Sequence, residues 1–394
     1  MHLCVLTSSY PRTSTDDTSV FIQRICQALG AKVTQLSLIV PSDQDEPKAE
    51  TREAVVIRRF KYGIFSHGRL AFGASLLSNI QKNPFVLLQV PGFIVQMLRS
   101  VFALPTRPDA VLAFWILAAV PALLYKLLTG RPYVLGLMGS DALIFKNKLL
   151  TLLSLPLLNG AKQIVVVSHE FQRLLRQQAK IPEERISVIL NGVHVPVIPE
   201  QSLKVFTQER GLSSTKHYLL AVSSLRPMKR VEVLIQLIAE LPQYELIICG
   251  KTDLTTYVDS LKDLAASLGC RGRIRFLGSV VPHEVFCYMR SASYLVTASE
   301  WEGQPNAVLE AMASGLVVCA SDIPAHREMI QDGENGVLFA PSEVKELAER
   351  IKELDLNPER KEALAQKASM QVSQRTWEDC AAAYARLFDY DKVA

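Results

Sequence analysis

Cysteine chemistry is what this chain offers least. Its seven cysteines (Cys4, Cys26, Cys249, Cys270, Cys287, Cys319, Cys380) are an odd, scattered set with no Cys-x-x-Cys pair and no histidine at zinc-ligand spacing. That argues against a disulfide framework or a zinc module and reads as reduced, mostly buried thiols of a cytosolic protein. Long hydrophobic runs are also missing. The longest uncharged apolar run, Ala110 to Tyr125, contains Pro121 and falls short of the roughly 20 residues a spanning helix needs. A strand, Ala110 to Trp115, followed by a buried helix accounts for it better. Pro84 to Leu98 is interrupted by Gln89, Pro91, Gly92 and Gln96, and reads as an interfacial or partner-facing surface. No basic stretch with a cleavage site precedes the first strand, Leu3 to Leu6, so no export signal is expected. A net charge of +4 over 394 residues is too small to suggest nucleic-acid binding without a clustered patch. Arg58, Arg59 and Lys61 beside Phe60, Tyr62 and Phe65 fit either contact with anionic lipid heads or an ordinary solvated strand end.

The length exceeds the usual single-core limit of about 250 to 300 residues, so two domains are expected. Short β-type runs alternate with helical patterns throughout, the signature of parallel sheets covered by helices on both faces. Expected strands in the first half are Leu3 to Leu6, Val33 to Val40, Val55 to Phe60, Ala110 to Trp115, Tyr133 to Met138, Gln163 to Val167 and Ile186 to Leu190. In the second half they are Tyr218 to Val222, Glu245 to Cys249, Ile274 to Leu277, Tyr294 to Val296, Val317 to Ala320 and Gly336 to Phe339. This is an α/β chain of two Rossmann-like units, with a seam at His194 to Ser202 where Val-Pro-Val-Ile-Pro-Glu-Gln breaks both periodicities. Ligands are expected beyond the carboxyl ends of the strands, in the cleft between the units. A long amphipathic helix from Arg375 to Tyr390, with Trp377, Ala381, Tyr384 and Phe388 on one side, closes the chain.

The segment Ser299 to Gly315 carries the most chemistry. A buried strand, Tyr294 to Val296, leads to Glu302, Gly303, Gln304, Pro305 and Asn306, and Pro305 suits the first turn of a helix. Backbone N–H groups near Gly303 to Ala307 and the positive end of that helix favour a diphosphate. Glu302 precedes this anion site, and Glu310 lies roughly 7.5 Å beyond Pro305 at about 1.5 Å per residue. One carboxylate suits sugar hydroxyls and the other ribose hydroxyls of a single extended ligand. Ala307, Val308, Ala311, Met312 and Gly315 form the stripe that packs the helix on its sheet. A second cluster, Ser223-Ser224-Leu225-Arg226-Pro227-Met228-Lys229, ends a strand with two cations just before a helix, where the dipole disfavours them. Arg226 as a bidentate fork and Lys229 as a point charge suit a leaving diphosphate.

Glu-x7-Glu with Gly after the first Glu, and Glu-Ala-Met-Ala-x-Gly at the second, resembles the retaining glycosyltransferases of family 4, which have the GT-B fold. Other segments resemble that family in turn. Cys249-Gly250-Lys251-Thr252 is similar to its Gly-containing turn beside the donor, and Phe276 to Val281 to the segment whose backbone cups the nucleobase. In the loop of Arg226 and Lys229, Ser224 stands where the family usually has Arg. The opening loop, Thr7 to Phe21, has no glycine at residues 7 to 20, so Thr18 or Ser19 would take that place beside sugar and acceptor, or simply cap the helix. Met138-Gly139-Ser140-Asp141 resembles His-Gly-x-Asp with Met138 for the His, leaving Asp141 as an acceptor or sugar ligand or as a helix cap. Asn191-Gly192-Val193-His194 resembles Asn-Gly-Val-Asp, read as a structural turn.

The resemblance implies an acceptor-side domain over 1–196, a nucleotide-sugar domain over 197–374, and a C-terminal helix, 375–394, packing back on the first domain. It implies a retaining, metal-independent transferase of hexosyltransferase type, moving a sugar from a UDP- or GDP-sugar to a hydroxyl of a glycan, glycolipid or small acceptor. Glu302, Arg226 and Lys229 would be catalytic; Gly250, Val281, Gly303, Gln304, Pro305, Asn306 and Glu310 would bind the donor; Thr18, Ser19, Met138 and Asp141 would face sugar and acceptor. No cofactor, metal or nucleic acid is expected. The expected place is the cytoplasm, with peripheral contact to the inner membrane face through the first domain as an option. A sugar-nucleotide epimerase or hydrolase, or a nucleotide-sugar-binding protein without transfer, remain alternatives.

Overall fold

The computed structural model describes the chain apart from residues 14–15, 17, 43–47, 63–69, 71–78, 80–82, 253 and 389–394. The chain forms two compact units, Met1–Gly192 with the chain from Trp377 onward, and Val193–Thr376.

In the first unit the strands are β1 (His2–Leu6), β2 (Gln35–Pro41), β3 (Ala49–Arg52), β4 (Val55–Phe60), β5 (Ala110–Phe114), β6 (Tyr133–Leu137), β7 (Gln163–Val166) and β8 (Ile186–Val188). They form one sheet in the order β3-β4-β2-β1-β5-β6-β7-β8. All neighbours are parallel except β3, which runs antiparallel on β4. The central strands are buried along their whole length, so each reads in the sequence as a continuous apolar run. β3, Ala-Glu-Thr-Arg, escapes sequence reading because it is a polar edge strand with alternating exposure. Trp115 was expected to end β5. Instead its backbone turns at φ 66° between β5 and the next helix, and its N–H donates to the Gly136 carbonyl at 2.9 Å.

The helices of this unit used below are α1 (Val20–Gly30), α2 (Val90–Phe102), α3 (Ile116–Thr129) and α4 (Lys148–Gly160). α2 rests on β2 and β4, α3 on β5 and β6, and α3 touches both α2 and α4. The C-terminal helix, Trp377–Arg386, packs along α1. It buries Ala381 and Tyr384, and Phe388 just past its end joins them, in the same core as Ile22, Ile25 and Leu112. Tyr390, at the expected end of that helix, lies outside the described residues.

The second unit holds β9 (His217–Val222), β10 (Tyr244–Cys249), β11 (Ile274–Gly278), β12 (Tyr294–Thr297), β13 (Val318–Ser321) and β14 (Val337–Phe339). All pairs are parallel, in the order β11-β10-β9-β12-β13-β14. Apolar clusters fill both faces of this sheet, around Leu219, Leu246 and Val296 on one side and Leu220, Ile247 and Val318 on the other. Its relevant helices are α5 (Val231–Glu240), α6 (Pro282–Ser291), α7 (Asn306–Ala313) and the short α8 (Pro324–Arg327).

Candidate functional site

Chain direction across the second sheet reverses at one place. From β9 the chain steps outward to β10 and β11, then crosses to β12 on the other side of β9 and continues to β13 and β14. Helices leaving β9 and β12 therefore diverge to opposite faces, and a crevice opens beyond the carboxyl ends of these two strands. Both cation- and carboxylate-bearing segments fall there: Ser223 to Arg230 follows β9 and Ala298 to Pro305 follows β12.

The two loops are joined side by side. Lys229 Nζ stands 2.6 Å from Glu302 Oε1, both side chains only 16% exposed. Glu300 N–H donates to the Met228 carbonyl at 2.9 Å, and Arg230 approaches the Glu300 carboxylate at 3.8 Å. Ser299, fully buried, donates its Oγ hydrogen to the same Glu302 Oε1 at 2.7 Å. One oxygen of Glu302 is thus fixed by two donors, and Oε2 has no protein donor among the described residues. Lys229 carries three N–H donors and uses one on Glu302. Arg226 stands half-buried at the start of the one-turn 3-10 helix Pro227–Lys229.

Pro305 sits one position earlier than expected. It is the N-cap of α7, and its carbonyl takes the first helical hydrogen bond, from Leu309 N–H at 3.1 Å. The amides of Asn306, Ala307 and Val308 therefore face out of the helix mouth. Buried Gly303 lies just before that mouth, beside half-buried Gln304. The packing stripe is Val308, Leu309, Ala311 and Met312, while Ala307 is half-buried and Gly315 exposed. Gly315 instead ends the helix at φ 71°. Asn306 and Glu310 lie one turn apart on the half-buried side.

Gly250 locks three strand ends together. Its N–H donates to the Gly278 carbonyl at 2.7 Å, while Ser223 N–H reaches Cys249 O and Leu225 N–H reaches Lys251 O, each at 3.0 Å. A Cβ at residue 250 would lie 1.7 Å from the Ser223 carbonyl oxygen. Gly250 thus has a packing role at the base of the Arg226–Lys229 loop that sequence reading did not assign. Val281, half-buried, caps α6 just past β11.

His326 on α8 went unnoticed in the sequence. The ring is fully buried, and its Nδ1 is 2.7 Å from the Ser321 carbonyl. A carbonyl only accepts, so Nδ1 carries the hydrogen and Nε2 of the neutral ring is an acceptor. Nε2 is buried without a partner among the described residues. Burial pushes the ring's pKa below the usual histidine range; the Ser321 carbonyl and the charge of Glu302 oppose this, and Lys229 adds to it. Ser321 in turn donates to the Ser299 carbonyl at 2.6 Å, so His326 buttresses the loop that holds Glu302. The only signal for it was position: a lone histidine just past a strand end at the switch point.

A depressed histidine pKa has a definite sign. Below about pH 6.5 the unfolded chain takes up a proton that the folded ring refuses, so stability is lost as pH falls. His326→Asn keeps an N–H donor near the Nδ1 position without the titration. Wild-type stability relative to this variant should therefore fall between about pH 7.5 and 5.5 in urea melts. A difference independent of pH would refute the assignment.

Residues expected on the acceptor side lie in the first unit. Ser19 stands at the N-cap position of α1 at φ 53°, the left-handed region a glycine tolerates better, but its hydroxyl makes no capping bond and meets that of Ser9 at 2.7 Å. Thr18 N–H donates to Asp16 Oδ1 at 3.0 Å, and Asp17 lies outside the described residues. Met138 is 3% exposed and belongs to the hydrophobic core beside Phe114 and Val165. Asp141 is 4% exposed, with Oδ2 accepting from Met138 N–H at 2.8 Å and Oδ1 from Ile116 N–H at 3.2 Å. Both its oxygens are thus engaged, tying the end of β6 to the start of α3.

Burial drives the Asp141 pKa up to about 7, against the two backbone hydrogen bonds. Folding then takes up a proton between the usual carboxylate range and pH 7, so this group's contribution falls as pH rises through that window, opposite in sign to His326. Asp141→Ala leaves two buried N–H groups without acceptors and should cost about 2 to 4 kcal/mol, more at pH 5 than at pH 7.5. Equal denaturant midpoints for variant and wild type would count against this tie.

Of the aromatic and basic cluster at the end of β4, Phe60, Tyr62 and Arg59 are buried and Lys61 is exposed. Phe60 and Tyr62 are buried against Phe93, and Arg59 is buried in an ion pair with Glu50 at 2.9 Å. Arg58 donates to the Ala103 carbonyl, and Phe65 lies outside the described residues. The seven thiols are all free and buried. Among the described residues no group of three metal-ligating side chains occurs. Two Asp-x-Asp triplets, Asp43-Gln44-Asp45 and Asp389-Tyr390-Asp391, fall outside them.

Comparison with known proteins bears on both units. Residues 204–371 match the family described as glycosyl transferases group 1, and residues 18–195 match glycosyltransferase family 4. An uncharacterized glycosyltransferase of Methanocaldococcus jannaschii is 26% identical over 80% of this chain and 81% of its own. Other curated relatives are matched over about half their length. Among solved structures, sucrose-phosphate synthase of Thermosynechococcus elongatus superposes with a TM-score of 0.82 at 16% identity, covering 98% of both chains. HepE of Anabaena, in complex with UDP and glucose, superposes at 0.75 with 20% identity, again over 98% of each chain. These two likenesses are of fold.

Proposed function

Because the chain belongs to the group 1 glycosyltransferases of family 4 and has the GT-B fold, we propose that it transfers a sugar, with retention, from a nucleoside-diphosphate sugar to an acceptor hydroxyl. One observation carries this reading: the Glu302 carboxylate is held through a single oxygen by Lys229 and Ser299, at the switch point and before the mouth of α7. In this mechanism the diphosphate sits on the amides of Asn306 and Ala307. Two remaining N–H donors of Lys229, and Arg226, neutralise charge building on the leaving oxygen. Glu302 Oε2 takes a sugar hydroxyl and stabilises positive charge at the anomeric carbon. The bond from that carbon to the phosphate oxygen breaks, the bond to the acceptor oxygen forms on the same face, and the acceptor proton passes to the departing diphosphate.

Glu310 and Asn306, sharing one side of α7, suit the ribose, and the backbone near Gly250 and Val281 suits the base. Lys229 and Arg226 supply the positive charge the leaving group needs, so the reaction as proposed runs without a metal. Gln304 lies at the same mouth. The UDP in the HepE complex supports a uridine nucleotide as first candidate, with GDP next. Seven buried free thiols and a nucleotide-sugar substrate support a cytoplasmic site of action.

The test is a panel of UDP-, GDP- and ADP-sugars read by thermal stabilisation, followed by turnover with and without glycan, glycolipid and small hydroxyl acceptors. Stabilisation by one donor with acceptor-dependent consumption supports the proposal. Acceptor-independent consumption points to an epimerase or hydrolase, and no stabilisation by any donor overturns it.

A further inference from the structure

One surface of the first unit is built the wrong way round for water. In α4 the polar Thr151 and Ser154 are buried, whereas Leu152 and Leu153 are 62% and 64% exposed. A helix folded against a core in water places its apolar stripe inward; α4 buries Leu158 but turns most of its leucines out. Its neighbour α3 does the same in part, with Leu127 71% and Leu128 67% exposed while Ala118, Ala122 and Tyr125 pack inward. The turn leading into α2 adds Phe85 and Leu88, both about three-quarters exposed. Because α3 touches α2 and α4, these outward stripes stand on adjoining helices.

Charge on these three helices has one sign. α2, α3 and α4 contain Arg99, Lys126 and Lys148 and no acidic residue. Over residues 84–160 the only acids are Asp109, paired with Arg131 at 2.8 Å, and the buried Asp141. Lys146 and Lys148 are exposed where α4 begins, immediately before Leu149 and Leu150.

We propose that this face, α2 to α4 with the turn at Phe85, seats the protein on an anionic lipid bilayer, leucines entering the headgroup boundary and Lys146, Lys148 and Arg99 meeting lipid phosphates. Charge decides between this occupant and a second copy of the chain. A two-fold dimer through this face would bring helices with basic residues and no acids against their own copies, whereas anionic headgroups neutralise them. The run Pro84–Phe102 is long and apolar enough to cross a membrane by composition. Its Phe93, Met97 and Val101 are instead buried in the first unit, so it lies on the fold and presents only its outer side. The surface is a property of the first unit and stands apart from the donor reading.

The experiment is flotation of the full chain with phosphatidylcholine vesicles, with and without phosphatidylglycerol. Wild type should float with the anionic vesicles, and raised salt or loss of phosphatidylglycerol should weaken this at least about tenfold. Leu127→Glu/Leu152→Glu should reduce it by at least about tenfold without lowering the melting temperature, because both side chains are exposed in the free protein. Leu356→Glu, 87% exposed on the second unit, should float as wild type does. Alkaline carbonate should release the bound protein. Absence of flotation, equal loss with Leu356→Glu, carbonate-resistant binding, or a lipid-free dimer that the double variant dissolves would each overturn the proposal. Donor-induced thermal stabilisation should be the same in wild type and double variant, which separates this failure from failure of the transfer reading.

Discussion

Glu302→Gln is expected to slow sugar transfer by about 100- to 1000-fold while leaving donor affinity unchanged or tighter. The amide oxygen can still accept from Lys229 Nζ and Ser299 Oγ, so the loop keeps its shape. What disappears is the negative charge and the second acceptor at the Oε2 position, the group that meets positive charge developing on the sugar ring. Preorganised electrostatic contacts of this kind contribute about 2.7 to 4 kcal/mol in other enzymes, which sets the scale of the loss. Lys229, no longer neutralised by a carboxylate, would bind diphosphate at least as well. Transfer assayed by product formation, beside donor titration by calorimetry, separates the two effects. A variant with full transfer rate and unaltered donor affinity would remove Glu302 from the mechanism.

The largest stability effect is expected from Gly250→Ala. Its Cβ would meet the Ser223 carbonyl oxygen at 1.7 Å, the Ser223 carbonyl carbon at 2.6 Å and Ser224 N at 3.3 Å. All three are backbone atoms, so no side-chain rotation relieves the clash. Hydrogen bonds from Ser223, Leu225 and Gly250 hold the surrounding strand ends in register. The loop bearing Arg226 and Lys229 has to move away, which should cost about 4 kcal/mol or more and lower the melting transition by about 10 °C or more. Gly272→Ala is the matched control, since nothing lies within 4 Å of its added Cβ. Melting of Gly250→Ala together with wild type would show that the close approach is absent in solution.

Much of the candidate site could be read from residue order because its parts are local. Strands buried on both faces leave unbroken apolar runs, and each run here ends where its chemistry begins: Val222 before Arg226 and Lys229, Thr297 before Glu302. Asp141 was legible only as two alternatives. A carboxylate after a strand fits a ligand or a cap equally well, and only the approach of Ile116 N–H, 25 residues away in the chain, engages its second oxygen. Met138 followed the motif's position but not its environment, because its side chain is buried in the same core as Phe114 and Val165. Phe60 and Tyr62 show the same limit: sequence gives composition, while their burial depends on Phe93 from another element.

By itself the sequence determined the α/β alternation, the two units and the loops that carry cations and carboxylates, since periodicity and turn residues act over a few positions of chain. Only the tertiary structure decided that Lys229 and Glu302, 73 residues apart, share one hydrogen bond, and that His326 stands behind them. Only it turned the leucines of α4 outward. Which strand lies beside which, and which side of a helix meets the core, follow from packing among distant segments, and no local pattern records that outcome.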